Sequence, residues 1–142
     1  MKICIWTNSI FRLGGTKRVV TVLVNQLIQN NQVTIMTHDQ PQKENREMYG
    51  LDERVEIDYV LLKEYKDRKH TPARYFRSTV KALNNVTGCF NSKGMVEFLK
   101  NAIYPKHLQE KWIEYLNSKD YDVIIATAGN ALTLSFIADR LN

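Results

Sequence analysis

The chain has 142 residues, of which 44% are hydrophobic, and a formal net charge of +5. This length predicts one domain with a substantial core. Its apolar runs are too short to span a bilayer and no leader pattern precedes the first apolar run, so we expect a cytoplasmic protein. The two cysteines, Cys4 and Cys89, lack the spacing of a metal site and are expected to be buried or idle thiols. The moderate positive charge usually means a solvated surface, and it is also compatible with phosphate-bearing ligands, anionic lipids or nucleic acid.

The first predicted elements enclose a pair of glycines. Residues 3–6 have the length and composition of a buried strand, and residues 19–28 repeat apolar side chains at helical spacing. Gly14 and Gly15 therefore lie in a strand-to-helix turn, called the glycine turn below. Unpaired N–H groups and the positive end of a helix dipole attract phosphate, and glycine allows it to approach closely. The alternative is that the glycines serve only the conformation of the turn.

Two sharper nucleotide signatures do not occur at this turn. Residues 14–17 lack the GxxxxGK[ST] spacing of a P-loop, and the chain has no GxGxxG. Kinase-type sites and ordinary NAD sites are therefore disfavoured. Lys17 and Arg18 add full positive charges further along the predicted helix, which suits a phosphorylated or otherwise anionic ligand.

Strands and helices alternate along the rest of the chain. The first helix is expected to end at Asn30 and Asn31, because asparagine tolerates a left-handed cap. The predicted strands are 33–37, 55–62 and 122–127, and the predicted helices are one from Thr71-Pro72, one over 94–117 interrupted at Pro105, and one over 131–141. The alternation at 55–62 favours a strand near a sheet edge. Together these elements predict an α/β fold, a Rossmann-like three-layer sandwich with a mainly parallel sheet.

The glycine turn and the turn over residues 127–130 both follow apolar strands. In parallel sheets, ligands bind beyond the carboxyl ends of the strands, so both turns are expected at the same ligand-binding edge. The sequence ends directly after a predicted helix, where a parallel sheet usually continues with a strand. We therefore expect a piece of a longer protein.

A basic helix face is predicted in the middle of the chain. Arg74, Arg77 and Lys81 lie on one side of the predicted helix, away from its apolar residues. Such a face contacts water in most proteins. The alternative is contact with an anionic membrane surface or with a lipid-linked, phosphate-bearing acceptor.

Other residues with metal-binding side chains are expected to be structural. His38, His70 and His107 have no partnering pattern and are expected at the surface rather than as ligands. Asp120 and Asp122 form a D-x-D motif, but they precede their strand and so belong at the wrong edge of the sheet. No metal site is therefore predicted.

The motifs in this order resemble the N-terminal half of a GT-B glycosyltransferase of the retaining family 4 type. That family begins with an apolar strand and a G-G-x-x-R-V loop, matched here by Gly14-Gly15-Thr16-Lys17-Arg18-Val19. Val33-Thr34 matches its second strand entry, and Asp122-Val123-Ile124 matches a later strand. The resemblance covers the two ends of the chain, whereas the middle matches only in its helical character.

The resemblance implies that residues 1–142 are the acceptor-side domain of such an enzyme, whose nucleotide-sugar-binding C-terminal domain is outside this sequence. It implies that the backbone of Gly14, Gly15 and Thr16 lies against the donor diphosphate. The implied contacts to acceptor or phosphate come from Arg12, Lys17, Arg18, Gly129 and Asn130. Some family members have a catalytic histidine where this chain has Thr127, which would position groups by hydrogen bonding while the donor phosphate takes the acceptor proton.

The full-length enzyme implied by the resemblance is a retaining hexosyltransferase of polysaccharide biosynthesis. It would transfer a sugar from a nucleotide-sugar donor to a bacterial cell-envelope glycan or a lipid-linked acceptor, without a metal or other cofactor. Peripheral contact with the inner face of the membrane is compatible with this role, and the isolated domain is expected to be inactive. The alternative is a non-enzymatic Rossmann-like module that binds an anionic metabolite. Nucleic-acid binding has less support because no recognised motif occurs.

Overall fold

The structure is a computed structural model, and it describes residues 1–38, 45–60, 106–127 and 129–142. The chain divides into two compact units, one of Met1–Val60 with Tyr115–Asn142 and one of Leu61–Glu114. In the second unit the described residues, 106–114, are helical, and Leu108 and Trp112 are fully buried.

Four parallel strands form the sheet of the first unit. They are β1 (Lys2–Thr7), β2 (Gln32–Thr37), β3 (Glu56–Tyr59) and β4 (Val123–Ala126), in the order β3-β2-β1-β4. The predicted α/β fold with a Rossmann-like parallel sheet is confirmed. β3 lies at an edge, as its alternating pattern predicts. β4 occupies the other edge of the described sheet, although its apolar sequence is typical of an interior strand.

Three α-helices are described, α1 (Gly15–Leu27), α2 (Lys106–Asn117) and α3 (Gly129–Ile137), with short 3₁₀ helices at Arg46–Tyr49 and Ala138–Arg140. The described part of α2 falls within the helix predicted over 94–117, and the predicted interruption at Pro105 lies outside the described residues. The predicted basic helix with Arg74, Arg77 and Lys81 lies outside the described residues, as does Cys89. None of the described helices is both long enough and apolar enough to cross a membrane.

The hydrogen bonds that end α1 differ from the predicted ones. The helix ends at Leu27, and the Asn31 side-chain amide donates to the Leu27 carbonyl at 2.9 Å. Among the described non-glycine residues, only Asp120 has a positive φ, so the expected left-handed asparagine cap is wrong. The Leu27 carbonyl, which also accepts from the Asn30 amide at 3.3 Å, is thus satisfied without a left-handed asparagine.

The main hydrophobic core lies between α1 and one face of the sheet. Alternate residues of β1 and β2 point to this face, because successive strand side chains alternate. The core side chains are Ile3, Ile5, Val33 and Ile35 from the strands, Val20, Val24 and Ile28 from α1 and its end, and Ile10, Phe11, Leu51 and Val55 from loops. Each fully buried branched side chain contributes about 1.5–3 kcal/mol relative to exposure.

The D-x-D segment lies at the amino edge of the sheet. The Asp122 amide donates to the Lys2 carbonyl at 2.9 Å, and the Asp122 carboxylate accepts from the Lys2 amide at 2.7 Å. The Lys2 ammonium also lies 3.4 Å from the Asp120 carboxylate, in an exposed pair. These contacts confirm that the motif tethers the start of β4 to the start of β1, away from the carboxyl edge.

Candidate functional site

The glycine turn has a backbone conformation that only glycine adopts readily. Gly14, the residue before α1, has φ 156° and ψ 146°. A Cβ placed there would lie 3.2 Å from both Cδ and Nζ of Lys17. The Lys17 side chain therefore folds back over the turn, which brings its ammonium group to the N-terminus of α1.

The N-terminus of α1 presents two amides that are unpaired within the described part of the chain. The Gly14 amide donates to the Tyr49 hydroxyl at 3.0 Å, and the Lys17 amide donates to the Gly14 carbonyl at 3.2 Å. The amides of Gly15 and Thr16 have no acceptor within the described part of the chain. A Cβ at Gly15 would meet nothing within 4 Å, so the space beside these amides is open.

The chemistry of the glycine turn is that of an anion-binding surface. Two free N–H groups and the positive end of the helix dipole face open space. The Lys17 ammonium adds a full charge, and it has no acidic partner among the described residues. Gly15 and Thr16 are exposed. The arrangement can bind and orient a phosphate or carboxylate.

The turn after β4 meets β1 at the same edge, as predicted. The Thr127 amide donates to the Trp6 carbonyl at 2.9 Å, and the Thr127 hydroxyl lies 3.4 Å from the same oxygen. The Asn130 amide, in the first turn of α3, donates to the Thr127 carbonyl at 3.1 Å. The Thr127 hydroxyl proton is thus directed towards a strand carbonyl, which suits a positioning role.

Two buried polar atoms near this edge have no hydrogen-bond partner within the described part of the chain. They are Oγ of Ser9, in the loop after β1, and Nδ2 of Asn130, whose side chain is 1% exposed. An unsatisfied buried polar atom costs about 1–3 kcal/mol, so such atoms call for an explanation. A ligand at the carboxyl edge would explain both. Asn130 was predicted from the family resemblance, whereas Ser9 has no sequence signal.

His38 links three strand ends, and its expected place as a surface residue is wrong. It follows β2 directly and is half-buried. Its Nε2 lies 3.4 Å from Trp6 Nε1, and its Nδ1 lies 2.9 Å from the Val60 carbonyl. Because an indole N–H only donates and a carbonyl only accepts, the two contacts assign a neutral ring with its proton on Nδ1.

Together with Thr127, this histidine joins the carboxyl ends of all four described strands. Val60 follows β3, His38 follows β2, Trp6 lies near the end of β1, and Thr127 follows β4. Hydrogen bonds therefore connect the strand ends from which these loops start. Only the pairing of the strands brings these residues together, so no local pattern in the sequence could have predicted the contact.

A second polar cluster lies on the sheet face opposite α1. The Asp58 carboxylate accepts from the Tyr115 hydroxyl at 2.5 Å and lies 3.0 Å from the Lys119 ammonium. Burial, followed by the bond to Asp58, raises the pKa of Tyr115 above its ordinary value. Burial, followed by the charge of Asp58, raises the pKa of the Cys4 thiol to about 12. Cys4 is thus a buried, protonated thiol, as predicted, and is not a nucleophile at neutral pH.

The remaining predicted site residues lie in different places. Arg12 and Arg18 are both exposed, in the loop before α1 and in its first turn, respectively. Gly129 is the first residue of α3. Arg74, Arg77 and Lys81 cannot be placed, because they fall outside the described ranges.

Comparison of the chain with protein-family models, with curated proteins and with solved structures finds no match. The fold itself defines a Rossmann-like α/β protein with a parallel sheet.

Proposed function

We propose that this chain is the acceptor-side, N-terminal domain of a retaining glycosyltransferase of the GT-B type that uses a nucleotide-sugar donor. The observation that carries this proposal is the pair of Gly15 and Thr16 amides, which have no acceptor among the described residues and lie beside the Lys17 ammonium. A donor diphosphate carries negative charge and several oxygens that accept hydrogen bonds. The glycine turn supplies the hydrogen-bond donors and the positive charge that complement it.

In this proposal the charge of the diphosphate is balanced by Lys17 and the α1 N-terminus, without a metal or other cofactor. The C-terminal domain of the full enzyme would supply the rest of the donor site. Ser9 Oγ and Asn130 Nδ2 would gain partners when acceptor hydroxyls bind, which would remove the cost of leaving them unsatisfied. Arg12 and Arg18 would add contacts to an anionic acceptor.

The proposed reaction transfers the sugar to a cell-envelope glycan or lipid-linked acceptor, in the cytoplasm or at the inner face of the membrane. The bond from the anomeric carbon to the donor phosphate breaks, and a bond to the acceptor oxygen forms on the same face. The departing phosphate takes the acceptor proton. Thr127, whose hydroxyl is directed towards the Trp6 carbonyl, would orient neighbouring groups rather than act as a base.

A titration of the chain with pyrophosphate and with nucleoside diphosphates, followed by amide NMR, tests the anion site. We expect the largest shifts at the Gly15 and Thr16 amides, and weak affinity because the turn is one wall of a larger site. Lys17→Gln should weaken binding several-fold, since it removes the charge beside the amides. Lys106→Gln, a change of the same type at an exposed lysine of α2, should not. Unchanged Gly15 and Thr16 amides at saturating pyrophosphate would contradict the proposal.

A non-enzymatic module that binds an anionic metabolite is the second candidate. It is favoured by the Tyr49 hydroxyl, which accepts from the Gly14 amide. Among the described contacts of the turn, the Gly15 and Thr16 amides are then left to bind a single phosphate or carboxylate. Micromolar binding of a phosphorylated metabolite by residues 1–142 alone would support the module. Hydrolysis or transfer from a panel of nucleotide-sugars by the full-length protein, without turnover by this chain alone, would support the transferase.

A further inference from the structure

Tyr49 contacts the glycine turn from a different part of the chain. Its hydroxyl accepts from the Gly14 amide at 3.0 Å, although 35 residues separate the two in the sequence. The hydroxyl has no other hydrogen-bond partner within the described part of the chain, and the side chain is half-buried. The contact therefore joins the segment around Tyr49 to the turn through one hydrogen bond.

The segment that carries Tyr49, residues 45–55, is attached to α1 and is called the Tyr49 loop below. The Asn25 side-chain nitrogen donates to the Gly50 carbonyl at 2.7 Å, and the Asn25 side-chain oxygen accepts from the Asp52 amide at 3.0 Å. Two apolar side chains of the loop are buried in the core, those of Leu51 and Val55. The loop therefore presents the Tyr49 hydroxyl to the glycine turn from a fixed position.

Gly14 is held on both sides of its α-carbon. Its carbonyl accepts from the Lys17 and Arg18 amides at 3.2 and 3.3 Å, so it points into the first turn of α1. In a planar trans peptide the N–H points away from the carbonyl, so the Gly15 amide points out of the helix end. The hydrogen bond to Tyr49 fixes the other side of Gly14, its own amide.

The contact matters because glycine has more backbone freedom than any other residue. Gly14 has a φ of 156°, and a glycine without further restraint adopts positive and negative φ about equally. Rotation about this bond would move Leu13, which is 82% exposed, relative to the Gly15 and Thr16 amides. Tyr49 therefore selects one arrangement of the turn before a ligand binds.

We propose that Tyr49 is a positioning residue that preorganises the glycine turn for an anionic ligand, and that Asn25 supports it through the Tyr49 loop. Tyr49 acts through Gly14 and does not itself contact the ligand. The turn then loses its conformational entropy on folding rather than on binding, which raises affinity. The inference rests on the anion site of the proposed function, and it applies equally to a diphosphate and to a single phosphate.

Amide NMR of Tyr49→Phe, with and without pyrophosphate, tests this role. Phenylalanine keeps the ring and removes only the hydroxyl. We expect the pyrophosphate affinity to fall about fivefold, because the turn must then be ordered on binding. We also expect ¹⁵N relaxation to show a more mobile Gly15 amide before any ligand is added. A contact that only stabilises the fold would change the Gly14 amide and leave both Gly15 and the affinity unchanged.

Two further variants separate positioning from a general effect on the fold. Tyr121→Phe removes the hydroxyl of a half-buried tyrosine that precedes β4, and it should bind pyrophosphate like the unchanged chain. Asn25→Ala should weaken pyrophosphate binding, because it releases the Tyr49 loop. Added to Tyr49→Phe, it should weaken binding no further, since both changes remove the same restraint.

Urea unfolding of each variant shows that affinity is measured on a folded chain. If Asn25→Ala unfolds, Asn25→Asp is measured in its place, because it keeps the acceptor for the Asp52 amide and removes the donor to the Gly50 carbonyl.

The inference would be overturned by a Tyr49→Phe chain that binds pyrophosphate as tightly as the unchanged chain. It would also be overturned by a Gly15 amide whose relaxation is the same in both. Additive losses of affinity in Asn25→Ala and Tyr49→Phe would overturn the role given to Asn25. An unchanged chain that does not bind pyrophosphate would contradict the proposed function instead, and the Gly15 relaxation in Tyr49→Phe would then decide whether Tyr49 orders the turn.

Discussion

Trp6 Nε1 lies 3.4 Å from His38 Nε2, so a buried indole N–H is satisfied by a histidine from the neighbouring strand. The other ring nitrogen of His38 lies 2.9 Å from the Val60 carbonyl. Trp6 in turn accepts the Thr127 amide through its carbonyl. The strand ends at the carboxyl edge are therefore connected by side-chain contacts as well as by the backbone hydrogen bonds between strands.

Replacing His38 by leucine should destabilise the fold by about 1–3 kcal/mol. The change removes the His38 contacts to the Trp6 indole N–H and to the Val60 carbonyl. Urea unfolding gives the free-energy difference, and the indole N–H resonance of Trp6 should shift while that of Trp112 stays in place.

His38→Gln should lose less stability, since an amide side chain can both donate and accept. His107→Leu, at an exposed histidine of α2, should leave stability unchanged. Equal stability for His38→Leu and the unchanged chain would show that the Trp6 contact contributes nothing measurable.

The two glycines of the turn should respond differently to alanine. Gly14→Ala should cost about 1–3 kcal/mol of stability, because its backbone conformation is unfavourable for other residues. Its new Cβ would also meet the Lys17 side chain 3.2 Å away. Gly15→Ala should keep the fold or stabilise it by up to about 1 kcal/mol, since it lies in a helix with open space around it.

Gly15→Ala should weaken anion binding although it does not weaken the fold. The methyl group of Gly15→Ala occupies the open space beside the free amides, so pyrophosphate affinity should fall although the fold is intact. Urea unfolding and the NMR titration measure the two effects independently. An unaffected pyrophosphate affinity in Gly15→Ala would place the anion elsewhere.

The stability of the fold should fall at alkaline pH. The Cys4 thiol has an ordinary pKa of 9.0 and a pKa of about 12 in the folded chain, where burial and then the charge of Asp58 disfavour the thiolate. The unfolded chain therefore loses this proton first as the pH rises above 9.0. The stability tied to the thiol is complete below that pH and declines by about 1.4 kcal/mol per pH unit towards the folded value.

Tyr115 and Tyr121 contribute in the same direction, because burial is the first cause that raises the pKa of each. Urea unfolding as a function of pH measures the combined slope. In Cys4→Ala the slope above pH 9.0 should be smaller by the share of one group. An identical slope in Cys4→Ala would show that the thiol does not ionise on unfolding in this range.

Local periodicity was sufficient to predict the strands and α-helices of the first unit, whereas the 3₁₀ helix at Arg46–Tyr49 was not predicted. The β-branched run at residues 33–37 predicts β2 to within one residue, and the glycine turn leads into α1 as expected. The described part of α2, Lys106–Asn117, falls within the segment in which a helix was predicted. The position of β4 was not predictable, since its apolar composition describes an interior strand and edge position depends on the neighbours present.

The candidate site was predictable only where its chemistry is local. Gly14, Gly15 and Lys17 are close in sequence, so a strand-to-helix turn is enough to bring their backbone and charge together. Tyr49 reaches the Gly14 amide from a distant 3₁₀ helix, and it changes the number of donors the turn can offer. The contacts of His38 could not be predicted from the local sequence either, because its partners lie on other strands.

The sequence by itself predicted the α/β class, the parallel sheet and the glycine turn at its carboxyl edge, because each follows from the periodicity, composition and order of the local elements. The tertiary structure decided which donors in that turn are free, which polar atoms are buried without partners, and that His38 links strand ends. It also decided that Tyr49 contacts the Gly14 amide. Those properties depend on strand register and on the side chains that cover each surface, and both are set by contacts between distant parts of the chain.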